Sequence, residues 1–175
     1  MEAGEIMEGK RTQDSSIVMS HVMLPQDTNP AGNVHGGVVM KHIDNAAVTV
    51  AIRHTRCNSV TASIDRMDFY NPVFLGNILV LKARLNLVGK TSMEIGVRAE
   101  AEDPYSGTVS HTASAYLTVV ALDEKGRPKE APPLILETQD EIRRHNAAKA
   151  RRKARLEERT KEEEKRRIFD GFKSE

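Results

Sequence analysis

DTNPAGNVHGG (residues 27–37) and VVMKHIDNAAVTVA (residues 38–51) are the adjoining segments from which most of the architecture follows. The first is rich in Asp, Asn, Pro and Gly, which favour turns, so it predicts a loop. The second places apolar side chains at helical spacing and polar ones, such as Lys41 and Thr49, on another side. This spacing predicts one mostly buried helix that the rest of the chain must cover.

Strand patterns flank this helix. Residues 17–24 predict a strand that Pro25 ends, and four longer segments with alternating apolar residues follow the helix, at 60–70, 77–88, 92–102 and 109–122. The order strand, helix, four strands predicts an α+β fold with an antiparallel meander curled around the helix, because the helix stripe is the only partner for the apolar strand faces. The sheet edges that remain favour pairing with a second subunit.

The two ends of the chain differ from this middle part. Residues 1–16 are polar and without periodicity, which predicts a flexible arm before a domain at 17–138. Residues 139–175 are dominated by Ala, Arg, Lys and Glu, with high helix propensity and almost no apolar stripe. We therefore expect a projecting, charged helix as the C-terminal tail.

Composition restricts the class of protein. Lys and Arg number 26 and Asp and Glu 25 in 175 residues, a balance that gives no global argument for binding nucleic acid or a membrane surface. Cys57 is the only cysteine, so no disulfide can form within the chain and zinc is a poor candidate. No apolar run approaches the roughly 18 residues of a membrane span, and the N-terminus lacks an apolar signal segment. A soluble, cytoplasmic protein without a membrane partner is expected.

Several residues around the loop and the helix start are candidates for chemistry. Asp44 lies among apolar helical neighbours, where a carboxylate is costly unless it is hydrogen-bonded or used. Its position alone leaves a solvated or loop-capping carboxylate equally open. The amides at Gly36 and Gly37 suit an oxyanion hole, while a plain tight turn explains the same glycine pair.

His35 and Asn29 are weaker candidates when each is taken alone. The His35 imidazole suits a general base, a hydrogen-bonding spacer or an ordinary loop residue, and the sequence favours the last two. The Asn29 amide can hold a water or a carbonyl, yet Asn before Pro is also ordinary turn chemistry. The joint occurrence of these residues before one buried helix is what indicates a site.

Together these residues resemble a known family. The pattern Asp27-x-Asn29-x-x-Gly32-Asn33-Val34-His35-Gly36-Gly37, with Lys41-x-x-Asp44 and Arg53-His54, is similar to that of the hotdog-fold acyl-CoA thioesterases. Within them it most resembles the cytosolic acyl-CoA hydrolase group, with its brain-type and small bacterial members. The later matches are Asp65-Arg66-Met67-Asp68-Phe69, Pro72, Gly76 and Thr91-Ser92, so that the resemblance covers roughly residues 17–155.

The resemblance implies a fold, a partner and a reaction. The hotdog fold is a curved antiparallel sheet wrapped around one long central helix, and two subunits join their sheets edge to edge, commonly as a trimer of dimers, which makes a homohexamer. The active sites lie between subunits, and the catalytic pair, which maps to Asn29 and Asp44, comes from opposite subunits. The reaction is hydrolysis of fatty acyl-CoA to free fatty acid and coenzyme A.

Roles for the site residues follow from this reaction. Asp44 is expected to deprotonate water as a general base or to attack as a nucleophile, and Asn29 to position the water or the thioester. The amides near Gly36 and Gly37 would stabilise the tetrahedral oxyanion. His35 is given a supporting role only.

Coenzyme contacts are assigned from charge and turn chemistry. Arg66, on a strand, and the turn Gly89-Lys90-Thr91-Ser92 are expected to meet the phosphates or the pantetheine arm, although both also suit ordinary surface positions. No metal or redox cofactor is expected. The charged tail suits a solvated helix, a lid over coenzyme phosphates at a neighbouring site or a nucleic-acid contact. Its distal Glu residues and its lack of interleaved aromatic residues favour the first, so no nucleic acid is expected as a partner.

Two other functions use the same fold. One is a non-catalytic acyl-CoA sensor, but such regulators usually attach a DNA-reading domain, for which residues 1–16 are too short. The other is a hydratase or dehydratase, which needs a His with an acidic partner acting on the acyl chain. His35 is available, yet the pattern of Asn29 and Asp44 fits hydrolysis better.

Overall fold

Strand, helix and four further strands follow one another as the hydrophobic pattern predicts. The computed structural model describes residues 7–171, apart from the side chains of Arg66, Lys165 and residues 167–171. The chain divides into two compact units after Glu137. Its elements, in chain order, are β1 (Lys10–Arg11), α1 (Thr12–Ser15), β2 (Ile17–Val22), a 3-10 turn (Pro25–Asp27), α2 (Gly36–Thr55), β3 (Asn58–Phe69), β4 (Ile78–Val88), β5 (Ser92–Glu102), β6 (Val109–Leu122), β7 (Leu134–Ile135) and α3 (Gln139–Gly171).

Helix α2 packs against one face of a five-stranded antiparallel sheet and contacts all five strands. Five residues of its apolar stripe, Ile43, Ala46, Ala47, Val50 and Ala51, have no exposed surface. Burial of apolar surface stabilises a fold by roughly 25 cal/mol per Å², so this one helix contributes a large share of the core. The stripe shares one core cluster with alternate residues of the strands, among them Leu79, Leu81, Ile95, Leu117 and Val119. The predicted α+β fold with one central helix is confirmed.

The strand order differs from a simple meander. It is β2-β4-β5-β6-β3, so β4, β5 and β6 form successive hairpins, while β3 pairs with β6 instead of β4. The reason is the length of α2: at 1.5 Å per residue its 20 residues reach about 30 Å, which carries the chain across the sheet to the far edge. The prediction of a four-strand meander was therefore wrong for β3, which forms one edge of the sheet.

Residues 10–16 do not form a separate arm. Strand β1 pairs in parallel with β7, and Thr12 and Ser15 of α1 are buried. The Lys10 ammonium donates to the carbonyl oxygen of His54 at 2.6 Å, in the last turn of α2, where carbonyls lack helical partners and attract cations. These contacts are polar and leave no periodic signal in the sequence. The predicted arm is corrected for residues 10–16, and its residues 1–6 lie outside the described residues.

The C-terminal unit consists of α3, and its start is capped. The Thr138 hydroxyl accepts from the Glu141 N–H at 3.2 Å and the Glu141 carboxylate accepts from the Thr138 N–H at 2.9 Å. Hydrogen bonds from Arg144 and then Arg143 lower the pKa of Asp140 to about 2. The predicted charged helix is therefore confirmed. Within residues 7–171, neither α3 nor any other helix is long and apolar enough to cross a membrane.

A nearly buried carboxylate in the sheet predicts acid sensitivity. Glu100 accepts hydrogen bonds from Lys82 Nζ and Arg98 Nε, both at 2.6 Å, and these bonds, that of Lys82 first, lower the pKa of Glu100 below its ordinary value. A carboxyl group with a depressed folded pKa stabilises the fold above its unfolded pKa, and this stabilisation is lost as the pH falls through the folded pKa.

We therefore expect Glu100→Gln to lower the free energy of unfolding near neutral pH by about 1–3 kcal/mol. At an acidic pH below the lowered pKa of Glu100, where the wild-type carboxylate is protonated, the difference from wild type should shrink. Urea denaturation of both proteins at the two pH values measures this. An equal difference in the free energy of unfolding at both pH values would contradict the prediction.

Candidate active site

The loop between β2 and α2 is held by hydrogen bonds of its own backbone. The Asp27 carbonyl accepts from the His35 N–H at 2.8 Å, which ties the start of the loop to the start of the helix. The Asn29 N–H donates across the turn to the Asn33 carbonyl oxygen at 2.7 Å. Gly32 in this turn has a φ of +84°, which glycine adopts without strain. The position of Asn29 relative to the helix start is therefore well defined.

One end of the Asn29 side chain is engaged and the other is available. Its Oδ1 accepts from the Ala31 N–H at 2.9 Å, as in an Asx turn. Its Nδ2 makes no hydrogen bond within the part of the chain that the structure describes. Asn29 lines a surface cavity of about 340 Å³ together with Gly36. It can therefore offer an N–H donor to a ligand carbonyl in this cavity.

The backbone amides at the start of α2 are only partly available. His35 is the N-cap residue, and its Nδ1 accepts from the Gly37 N–H at 3.0 Å. An accepting Nδ1 carries no proton, so the neutral ring holds its proton on Nε2. The Gly36 N–H has no partner among residues 7–171, and Gly36 lines the cavity. The His35 cap occupies the Gly37 N–H, so of the two amides predicted to be free only that of Gly36 lacks a partner among the described residues, and its role as an oxyanion donor stays a prediction.

Asp44 lies on α2 away from that cavity. It is the eighth residue after Gly36, about 12 Å along the helix at 1.5 Å per residue. Asp44 is half-buried, and its Oδ1 accepts from the Thr61 hydroxyl of β3 at 2.5 Å. It does not line the cavity that Asn29 lines. Within one chain, the predicted catalytic pair therefore does not meet in one cavity.

Thr61 is a site residue that sequence reasoning missed. It pairs with Val119 of β6, which is buried against the helix, and this register places Thr61 on the helix side of the sheet. Part of the signal was present for Asp44, which has mainly apolar helical neighbours, whereas the alternate positions beside Thr61, Ser59 and Ser63, are polar as well. That they face each other depends on how β3 lies relative to α2, which the sequence does not reveal.

Two histidines pack together near the loop. The ring centroids of His21 in β2 and His42 in α2 are 4.2 Å apart. Burial first, and then the charge of His21, lowers the pKa of His42, while Asp27 acts in the opposite direction. His42 is therefore neutral near pH 7, and its ring adds no positive charge to the helix turn that carries Asp44.

The turn assigned to the coenzyme lies away from the Asn29 cavity within one chain. The turn Gly89-Lys90-Thr91-Ser92 joins β4 and β5 at the end of the sheet where β3 begins, whereas the cavity lies beside Phe69, where β3 ends. Lys90 forms an exposed ion pair with Glu130 at 3.1 Å. The Arg66 backbone belongs to β3, but its side chain lies outside the described residues. These coenzyme contacts stay predictions.

Metal ligands do not gather in the described part of the chain. Within residues 7–171, no three His, Cys, Asp or Glu side chains are arranged so that they could hold a metal ion. The expectation that the reaction needs no metal or redox cofactor stays a prediction.

Comparison with known proteins identifies the family. Residues 31–108 match the model of the thioesterase superfamily. The chain is 36% identical, over 82% of its length, to an uncharacterized acyl-CoA thioester hydrolase of Bacillus subtilis, YkhA, of which it covers 84%. It is 37% identical, over 78% of its length, to the cytosolic acyl coenzyme A thioester hydrolase of Mus musculus, and it spans 36% of that longer protein.

Solved structures show the same fold. A hexameric acyl-CoA thioesterase without ligand has a TM-score of 0.83 and 34% identity, covering 87% of this chain and 97% of that one. An acyl-CoA hydrolase from Staphylococcus aureus, solved with butyryl coenzyme A, coenzyme A and coenzyme A disulfide, has a TM-score of 0.81 and 33% identity, covering 89% of this chain and 94% of that one. The chain therefore belongs to the thioesterase superfamily, as a member of the hotdog-fold acyl-CoA thioesterases.

Proposed function

We propose that this chain hydrolyses fatty acyl-CoA to a free fatty acid and coenzyme A, at a site that Asn29 of one subunit and Asp44 of another complete together. The observation that carries the proposal is the separation of the two halves. Asn29 and Gly36 line one cavity with N–H donors available, whereas Asp44 lies two helical turns further on and outside it. Hydrogen-bond donors without a base do not activate water, so a second copy is needed to supply the carboxylate.

Strand β3 supports the pairing of two copies. It is an edge of the sheet, and three of its apolar side chains, Val60, Ile64 and Phe69, are exposed. An edge of this kind favours pairing with another chain, and in a two-fold dimer the same surface serves both subunits. A hexameric relative supports a larger assembly, for which we propose a trimer of such dimers.

The residue chemistry gives one path for hydrolysis. The Asp44 carboxylate takes a proton from a water as the water oxygen bonds to the thioester carbon, and the carbonyl electron pair moves to the oxygen. The Asn29 Nδ2 and the Gly36 N–H donate to this oxyanion. When the oxyanion collapses, the carbon–sulfur bond breaks and the coenzyme thiolate takes up the proton that Asp44 had accepted. The thioester is activated enough to need no Ser or Cys nucleophile.

Direct attack by Asp44 is the alternative path, through a mixed anhydride that water then opens. Single turnover in isotopically labelled water distinguishes the two. Solvent oxygen in the Asp44 carboxylate would support the anhydride, and its absence would favour attack by water.

The test of the proposed function is the release of free thiol from a series of saturated acyl-CoA substrates, from acetyl to palmitoyl. Hydrolysis yields one thiol for each acid formed. A sensor would bind these compounds without releasing thiol, and a hydratase would add water to an enoyl-CoA with the thioester intact. Absence of thiol release from the whole series, with the protein folded, would contradict the proposal.

Thr61 should act as a positioning residue for Asp44. Thr61→Val removes the hydrogen bond to Asp44 but keeps the side-chain shape, so kcat should fall by about tenfold or more while KM changes little. Thr61→Ser should restore most of kcat, because it keeps the hydroxyl. Thr49→Val is the matched control, since the Thr49 hydroxyl donates only to the Asn45 carbonyl of its own helix. A wild-type kcat in Thr61→Val would contradict the role.

A further inference from the structure

Thr112 is one of the residues that line the Asn29 cavity. The residue is 1% exposed, and its Oγ1 makes no hydrogen bond within the residues that the structure describes. Most buried polar atoms in folded proteins are paired, because an unpaired one loses its bonds to water without replacing them. A buried, unpaired hydroxyl next to a cavity indicates that a ligand in the cavity is its hydrogen-bond partner.

A β-bulge places Thr112 in this position. The register between β5 and β6 shifts between Ala99 and Glu100, so Thr112 is the extra residue of β6. The alternation of burial along β6 is interrupted there, with Thr112 and Ala113 both buried. Bulges are frequent beside active sites, where they redirect a side chain. The Thr112 carbonyl accepts from the Tyr70 N–H at 2.8 Å, which holds the backbone in place.

We propose that the Thr112 hydroxyl binds an amide of the pantetheine arm of the acyl-CoA substrate, an inference that rests on the proposed function. A hydroxyl can donate or accept, and the arm offers amide N–H and C=O groups at its length. Rotation about χ1 exchanges the hydroxyl and the methyl group of a threonine, so Oγ1 can reach a ligand without backbone movement. The cavity is partly lined by the buried residues Val39 and Val73, and a hydrogen bond is stronger in such surroundings than in water.

The test uses the full chain and the acyl-CoA that the wild type hydrolyses fastest. Thr112→Val removes the hydroxyl and keeps the shape. Because the amide is bound alike in the ground state and in the transition state, KM should rise about three- to tenfold with kcat little changed. Thr112→Ser should keep the wild-type KM. The melting temperature of Thr112→Val should equal or exceed that of the wild type, since no protein hydrogen bond is lost.

Thr118 provides the matched control. Its Oγ1 is also buried and makes no hydrogen bond among residues 7–171, but Thr118 lies on the face of β6 opposite to that of its core neighbours Leu117 and Val119. Thr118→Val should therefore keep the wild-type KM. An unchanged KM in Thr112→Val, or an equal rise in Thr118→Val, would overturn the inference.

If Thr112→Val does not fold, Thr112→Ala set against Thr112→Ser gives the same comparison of a side chain without and with the hydroxyl.

Two further outcomes distinguish the inference from the proposed function. A wild type that releases no thiol contradicts the proposed function and the inference with it. An active wild type with an insensitive Thr112 contradicts the inference alone.

Discussion

Asp44→Asn should reduce kcat for acyl-CoA hydrolysis by about 10²- to 10⁴-fold, the usual contribution of a general base. The amide has nearly the shape of the carboxylate and can still accept from the Thr61 hydroxyl, so the geometry of the site is kept while its basicity is lost. KM should change little, because the carboxylate acts on the attacking water and not on the coenzyme. Steady-state thiol release measures both constants. Asp44→Ala should show a loss at least as large.

The fold should tolerate this substitution. Asp44 is half-buried on a helix that is otherwise packed by apolar side chains, and removing a charge there relieves a desolvation cost. The melting temperature of Asp44→Asn should therefore not fall. Asp123→Asn is the matched control for the loss of a carboxylate and should keep the wild-type kcat, since Asp123 lies in a turn after β6 and pairs with Arg127. A folded Asp44→Asn protein with near wild-type kcat would contradict the mechanism.

Asn29→Ala should reduce kcat by about 10²- to 10³-fold, the loss expected when one oxyanion donor is removed. The same change also removes the Asx turn to Ala31, so loss of activity alone would not identify the donor. Asn29→Asp separates the two effects. Aspartate keeps an oxygen that accepts from the Ala31 N–H and replaces the Nδ2 donor by an acceptor.

Asn29→Asp should therefore be nearly as inactive as Asn29→Ala, while its loop and melting temperature stay close to wild type. Thiol release and thermal melting of the three proteins measure this. Substantial activity in Asn29→Asp would show that Asn29 acts through the turn and not through its Nδ2.

Local sequence patterns predict the helices and strands of the fold, but not all of the pairings and contacts between them. The helix at Gly36–Thr55 follows from its apolar stripe, and strands β4 to β6 from alternation and short turns. The place of β3 depends on where a long helix returns the chain, which no local pattern encodes. Residues 10–16 carry no pattern that predicts their place, because their contacts are polar, as the bond from Lys10 to the end of α2 shows.

The same holds for the candidate site: the residues of one contiguous motif are predicted from the sequence, and those that other strands contribute are not. Asn29, Gly36 and Asp44 follow from one contiguous motif. Thr61 comes from another strand and needs the packing of β3 against α2, while Thr112 depends on a bulge that breaks the alternation of β6. The occupied amide of Gly37 depends on the side-chain conformation of His35, which a sequence pattern does not specify.

Mixing subunits of two inactive variants would show whether Asn29 and Asp44 act across a subunit interface. Asn29→Ala and Asp44→Asn subunits, with different tags, are unfolded together and refolded at equal concentrations, beside each variant refolded alone. In a divided site, each mixed dimer has one site with both wild-type residues and one with neither. Random pairing should then give about a quarter of the wild-type kcat. If the mixture, with mixed dimers shown by the tags, stays as inactive as its components, both residues act within one chain and the divided site is contradicted.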